Sequence, residues 1–157
     1  MDCGDFKHLS TVLVSVFDSA SIACDIRPNC ESPIEIDLGV QLTKALRLMP
    51  DNDLTLKAQY VFGPYRYDFA IVREGRRKPI ALIECDGAEF HSTSEQLAND
   101  RAKDALARAE DIFPFRFSGS EIYRDANACV AKIIETLRSQ AYLSNEEWRA
   151  FEVSQQK

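Results

Sequence analysis

Between Leu54 and Asp86 the chain offers three extended segments joined by connections too short for anything but antiparallel pairing, and this restricts the fold more than any other stretch. Leu54–Phe62 alternates loosely, Gly63-Pro64 is a turn, and Tyr65–Arg73 alternates aromatic and small residues. Glu74-Gly75-Arg76-Arg77-Lys78 is a second turn, and residues 79–86 form an apolar strand ending in acid. Parallel neighbours would need a crossover of about a dozen residues or more.

Helical signals surround these strands. Residues 6–20 are apolar-rich at helical spacing and lead into an irregular stretch that ends at Asn29-Cys30. Ser32-Pro33-Ile34-Glu35 has Ser at the N-cap, Pro at the first helical position and Glu at the third, a capping box. Ile34, Leu38, Leu42, Ala45 and Leu46 continue that helix to about Leu48, where Met49-Pro50-Asp51-Asn52 stops it. After Gly87, residues 95–110 form a helix with Leu97, Ala98, Ala102, Ala105, Leu106 and Ala109 expected on its buried face. Residues 113–117 read as a fourth strand. Ser118-Gly119-Ser120-Glu121 then opens a last helix striped by Val130, Ile133, Ile134 and Leu137.

The order is α-β-β-β-α-β-α, an α/β fold with a mixed four-stranded sheet flanked by helices. One domain is expected, with residues 1–30 as a helical N-terminal extension, 31–141 as the core and 142–157 as a helical tail.

The hairpin arithmetic singles out a set of acids. In an antiparallel hairpin the numbers of opposed residues have a constant sum, and a turn centred on Arg76 makes that sum 152. Asp68 then faces Glu84, with Cβ atoms about 4.5–5.5 Å apart, and Asp86 follows on the same face. Like charges so placed destabilise a sheet, and burial raises the cost unless one of them takes up a proton. A hard divalent cation relieves the conflict, and a few carboxylates with waters is the habit of Mg²⁺. Each acid alone reads equally as a solvated strand end or as half of an ion pair with Arg66 or Arg116.

His91 lies five residues beyond Asp86, placed to activate water near neutral pH. Asp100, early in the following helix, is placed to orient that imidazole or simply to complement the helix dipole. Glu35 already has an explanation in its capping box.

Charge weighs on the choice of partner. Nineteen Lys and Arg stand against 25 Asp and Glu, a formal net charge of −6, whereas nucleic-acid binders are commonly basic. The positive clusters are local: Arg76, Arg77 and Lys78 with Arg73 at the hairpin tip, Arg101, Lys103 and Arg108 on the helix after the acids, and Arg116 on the fourth strand. Five cysteines without a C-x-x-C pair point to reduced thiols. The acidic N-terminus and the absence of a long apolar stretch point to a cytoplasmic protein with no membrane partner.

The order of elements, with Asp68, Ile83-Glu84-Cys85-Asp86 and an upstream helix-borne Glu35, resembles the PD-(D/E)XK or restriction-endonuclease-like nuclease superfamily. Tyr67-Asp68-Phe69, Glu84-Cys85-Asp86-Gly87 with Phe90-His91, Asp100-Arg101 and Phe115-Arg116-Phe117 resemble more narrowly the Vsr-like endonucleases and their EDxHD bacterial relatives. That resemblance covers residue 31 to about 138. It implies an αβββαβα core and a DNA endonuclease using Mg²⁺, with Mn²⁺ as the alternative. By position, Asp68 would be the main ligand, with Glu84, Asp86 and the Cys85 carbonyl completing the site. His91 would be general acid or base held by Asp100, and Glu35 would support the metal or its water. The superfamily lysine two residues after the glutamate is here Asp86; in the Vsr-like branch the histidine is thought to take over its role. Arg76, Arg77, Lys78, Arg101 and Arg116 are the expected phosphate contacts. The binding to DNA is expected to be weak and salt-sensitive, with help from a second copy or a partner subunit. The rival expectations are a non-cleaving binding module on the same fold and a metal-free structural protein whose acids pair with arginine.

Overall fold

The structure, a computed structural model, describes residues 18–49, 53–87 and 93–139. Four strands, β1 (Leu54–Phe62), β2 (Tyr65–Arg73), β3 (Ala81–Asp86) and β4 (Phe113–Ser118), form one sheet in the order β1-β2-β3-β4. The first three are antiparallel neighbours, as their short connections require, and β4 returns parallel to β3. The crossover is helix α3 (Ser94–Ala109), while α2 (Pro33–Arg47) and α4 (Gly119–Ser139) pack together against the opposite face. No helix among the described residues is long and apolar enough to cross a membrane.

Helix α2 starts where its sequence signals it. Ser32 Oγ accepts from the Glu35 N–H at 3.4 Å and donates to Glu35 Oε1 at 2.7 Å. Helix α4 starts the same way, with Ser118 Oγ accepting from Glu121 N–H and Glu121 Oε2 accepting from Ser118 N–H at 2.8 Å. Its stripe of Val130, Ile133, Ile134 and Leu137 is buried. The stretch after residue 20 departs from expectation. It is helical over 18–26 (α1) and ends in a 3-10 turn at Arg27–Asn29, because Ile22 and Ile26, one turn apart, both have apolar surface to cover. Residues 6–17 of that expected helix, the stop at Pro50-Asp51-Asn52 and the tail after 139 lie outside the described residues.

Strand β3 begins at Ala81 rather than 79, since Pro79 has no N–H for a ladder. The β2–β3 register is Phe69↔Ile83, Ala70↔Leu82 and Ile71↔Ala81, the sum of 152 expected from the turn.

Two features bend this frame around the acids. In β1, Leu54, Leu56 and Ala58 join the core under α2 and α4, but Tyr60 and Phe62 join the one under α3. In β2, Phe69 and Ile71 join the former and Tyr65 and Tyr67 the latter. Strict alternation would keep each odd or even set on one face. Both strands therefore reverse at the same place, Gln59 opposite Asp68, where the ladder skips one pair and Gln59 takes a left-handed φ of 49°. Register survives because neither strand gains a residue.

The second feature is α3, which lies on the sheet by a face other than the expected one. Leu97 is 46% exposed, and Ala98, Ala102, Ala105 and Ala109 are exposed too, while Asp100, Lys103, Asp104 and Ala107 turn inward. The charged partners Glu84 and Arg116 on the strands below draw the polar side of the helix down. Leu106 alone of the expected set is partly buried, over Gly63.

Candidate active site

Asp68 stands where β2 and β3 part. The ladder's last regular pair is Phe69↔Ile83, and one step further the Asp68 carboxylate replaces the main-chain partner, Oδ2 accepting from Cys85 N–H at 2.6 Å. Burial raises the Asp68 pKa above the ordinary aspartate value, and the Glu35 and Glu31 carboxylates push the same way, against the Cys85 hydrogen bond and the Lys103 charge. Asp68 thus feels groups from both sides of the sheet, Glu35 on α2 and Lys103 on α3.

Glu84 is drawn toward α3. Its Oε1 forms a short ion pair with Lys103 Nζ, both side chains mostly covered at 13% and 15% exposure. Burial raises the Glu84 pKa; Lys103 opposes that by hydrogen bond and charge, and Asp68 adds to it. Asp68 therefore hinders the ionisation of Glu84. Asp86 follows Glu84 toward α3 but meets Arg116, at 3.1 Å. The same guanidinium holds Asp100 at 3.2 Å and Asp104 at 3.5 Å. Burial works to lower the Arg116 pKa, but Asp86, Asp100, Glu84 and Asp104 together raise it.

Glu35 is buried at 5% exposure and fully committed. It accepts from Glu31 N–H at 2.9 Å, Ser32 Oγ–H at 2.7 Å and Gln59 Nε2–H at 3.3 Å. Its capping reading is the one with geometry behind it, and its influence on Asp68 is through charge alone. Around the fork, burial holds Cys30 protonated, up to about 11, with the Glu35 and Asp68 carboxylates adding to the effect. Cys85 is raised further, by burial first and then by the Asp68 and Glu35 carboxylates. Neither thiol is placed to act as a nucleophile.

The three-acid site expected from alternation is not formed. Among the described residues, no three His, Cys, Asp or Glu side chains are grouped to hold a metal ion. The reversal at Asp68 turns it to Cys85 N–H, Lys103 takes Glu84, and Arg116 takes Asp86. What remains is a pair, Asp68 with Glu84. Asp100 meets Arg116, and His91, the imidazole it was expected to orient, lies outside the described residues. Arg116 is enclosed by carboxylates instead of standing open for a phosphate. Arg76, Arg77 and Lys78 are exposed at the far end of the hairpin. The strand rise puts Arg76, eight residues from Asp68, roughly 26 Å away. Lys78 is also paired with Glu110. Arg101 is exposed on α3.

Two residues at the fork carry no distinguishing mark in the sequence. Lys103 belongs to a basic cluster that reads as solvated, and only the pairing with Glu84 sets it apart. Gln59 sits in a strand with nothing to announce its left-handed backbone; its Oε1 is buried without a hydrogen-bond partner.

The donor set at the fork fits a small divalent cation. Asp68 and Glu84 are two largely covered carboxylates whose ionisation is opposed first by burial, then by Glu35 at Asp68 and by Asp68 at Glu84, and Gln59, the residue across from Asp68 on β1, has an orphaned amide oxygen. One or two carboxylates with retained waters is what Mg²⁺ ordinarily takes. Asp86, neutralised by Arg116, is not needed for that fit.

A four-stranded mixed sheet in this order, sandwiched between α3 and the α2–α4 pair, with acids at the parting of β2 and β3, defines a restriction-endonuclease-like core. The family model REase_MTES_1575 matches residues 40–137, and the chain belongs to that restriction-endonuclease-like family. The matched span takes in Asp68, Glu84, Asp86, His91, Asp100, Lys103 and Arg116 and leaves Glu35 outside. No curated protein and no solved structure matches the chain.

Proposed function

We propose that this chain is a metal-dependent DNA endonuclease that hydrolyses phosphodiester bonds with a Vsr-like site. The observation that carries the reading is the Asp68–Glu84 pair: two largely covered acids at the β2–β3 fork, both with ionisation opposed by burial and Asp68 opposing that of Glu84, in a member of a restriction-endonuclease-like family. A divalent cation bound between them would relieve that opposition. Mg²⁺, or Mn²⁺ in its place, would be held by Asp68 and Glu84 with the Cys85 carbonyl, and would supply an acidified water and neutralise charge on the phosphate.

Within the chain, Asp68 is held by the Cys85 N–H, and Lys103 holds Glu84 beside it until a metal takes the place of the ammonium. His91, five residues past Asp86, takes or returns the proton of the attacking water. Asp100 and Arg116 brace α3 against β3 and β4.

A second reading has its own observation. Glu84 and Asp86 are both neutralised by side chains of the chain itself, Lys103 and Arg116, which suits a non-cleaving module on the same fold. Nicking and cleavage of plasmid and single-stranded DNA, with Mg²⁺ or Mn²⁺ against a chelator, separates the two. Metal-dependent cleavage lost in Asp68→Ala and in His91→Ala supports the endonuclease. Activity that survives Asp68→Ala refutes the site, and metal binding without turnover on any nucleic acid favours the module.

A further inference from the structure

We infer that Lys103 is the positioning residue that lets this acidic site accept a phosphodiester, an inference that rests on the endonuclease reading above. Its placement is over-determined for a surface lysine. The side chain is 15% exposed, and Nζ is shared between Glu84 Oε1 and the Arg66 carbonyl oxygen, the latter at 3.2 Å. The ammonium also lies 5.3 Å from the Tyr67 ring centroid. Tyr67 O–H donates in turn to the Lys103 carbonyl oxygen at 3.3 Å, so the residue is held at both ends. Its charge acts on Asp68 as well as Glu84.

A formal charge balance gives the placement a purpose. Counting only the two acids that would touch the metal, Asp68 and Glu84 carry two negative charges that a divalent cation only cancels, leaving no net attraction for a phosphodiester, and Glu35, which acts on Asp68 by charge, adds to the negative side. With Lys103 the loaded site keeps one positive charge, which a single phosphodiester then neutralises. The neighbouring cluster does not supply that charge, because Arg116 is outnumbered by Asp86, Asp100 and Asp104. Arg66 is paired with Glu31. Lys103 also keeps Glu84 in place against Asp68 before any metal arrives, and in doing so competes with the metal.

Three proteins, wild type, Lys103→Met and Lys103→Arg, are compared by Mn²⁺ calorimetry, by melting with and without Mn²⁺, and by steady-state plasmid nicking. In Lys103→Met, Mn²⁺ binding tightens by about tenfold because the competing ammonium is gone. For the same reason, Mn²⁺ raises its melting temperature by more than it raises that of wild type. Cleavage by that variant falls by about a hundredfold, with KM for DNA raised as well as kcat lowered. Lys103→Arg keeps the charge, binds Mn²⁺ like wild type and retains cleavage within about tenfold.

A folded Lys103→Met that cleaves within about threefold of wild type, or binds Mn²⁺ no better, overturns the assignment while leaving the endonuclease reading intact. If Lys103→Met does not fold, Lys103→Arg decides: folded but as inactive as Asp68→Ala, it shows that charge is not the role. A wild-type chain that cleaves no nucleic acid under any metal overturns both proposals.

Discussion

Replacing Asp68 by Asn separates what the site costs the fold from what it does. The Asn side-chain oxygen can still accept from Cys85 N–H, now at 2.6 Å from the carboxylate, so the anchor at the fork survives. What disappears is a charge whose ionisation is opposed chiefly by burial and next, among the opposing groups, by Glu35. An acid whose pKa is higher folded than unfolded binds more protons in the folded state between the two values. Stability therefore falls as pH rises through that window, and the penalty is fully present above it. The window begins near 3.8, the ordinary aspartate value, and extends upward. The raised pKa already includes the benefit of the Cys85 bond, so the neutral isostere should gain. Solvent reaching the half-covered carboxylate limits that gain to on the order of 1 kcal/mol. For a chain of 157 residues this is a melting temperature higher by about 2–4 °C at neutral pH. Thermal melts of both proteins at neutral pH and at progressively lower pH provide the test. The advantage of Asp68→Asn should shrink on acidification as the wild-type carboxyl takes up its proton. A variant that melts lower than wild type at neutral pH would refute the reasoning, because the charge would then be stabilising the fork.

Two further outcomes follow from the packing and from the ion pairs. Gly39 lies in α2 where an added Cβ would sit 2.9 Å from Phe69 Cζ and 3.3 Å from Ile26 Cγ2. Overpacking of about 1–3 kcal/mol should outweigh the roughly 1 kcal/mol helix preference for Ala. Gly39→Ala should therefore lose about 1 kcal/mol in urea unfolding, and an unchanged or higher midpoint contradicts the close approach. Arg116→Met leaves Asp86, Asp100 and Asp104 facing one another. It should destabilise by about 1–2 kcal/mol at low ionic strength and by clearly less in high salt, since these groups are partly exposed. A loss that does not depend on salt would mean that the guanidinium acts by packing.

Much of the frame was legible because it rests on local chemistry. The capped starts at Ser32 and Ser118, the stripe from Val130 to Leu137 and the short turns at Gly63-Pro64 and Glu74-Gly75 need only neighbouring residues. The β2–β3 register followed from the turn alone. What escaped depends on partners remote in sequence. The alanine-rich stripe of α3 is the better hydrophobic face by composition, but ion pairs to β3 and β4 reward the opposite one, and no periodicity within the helix reports on them. The reversal at Gln59 and Asp68 likewise takes both strands at once, and it turned an expected trio of acids into a pair. Lys103 went unrecognised for the same reason: among exposed-looking basic residues, only the fold selects it.

Anomalous diffraction from a crystal grown or soaked with Mn²⁺ addresses the heart of the proposal without relying on turnover. The expected result is one strong peak at the β2–β3 fork, about 2.1 Å from a carboxylate oxygen of Asp68 and of Glu84, with Lys103 displaced from its contact with Glu84. A peak elsewhere, or none at saturating Mn²⁺ with the Lys103–Glu84 pair intact, would mean that these two acids do not share a metal ion.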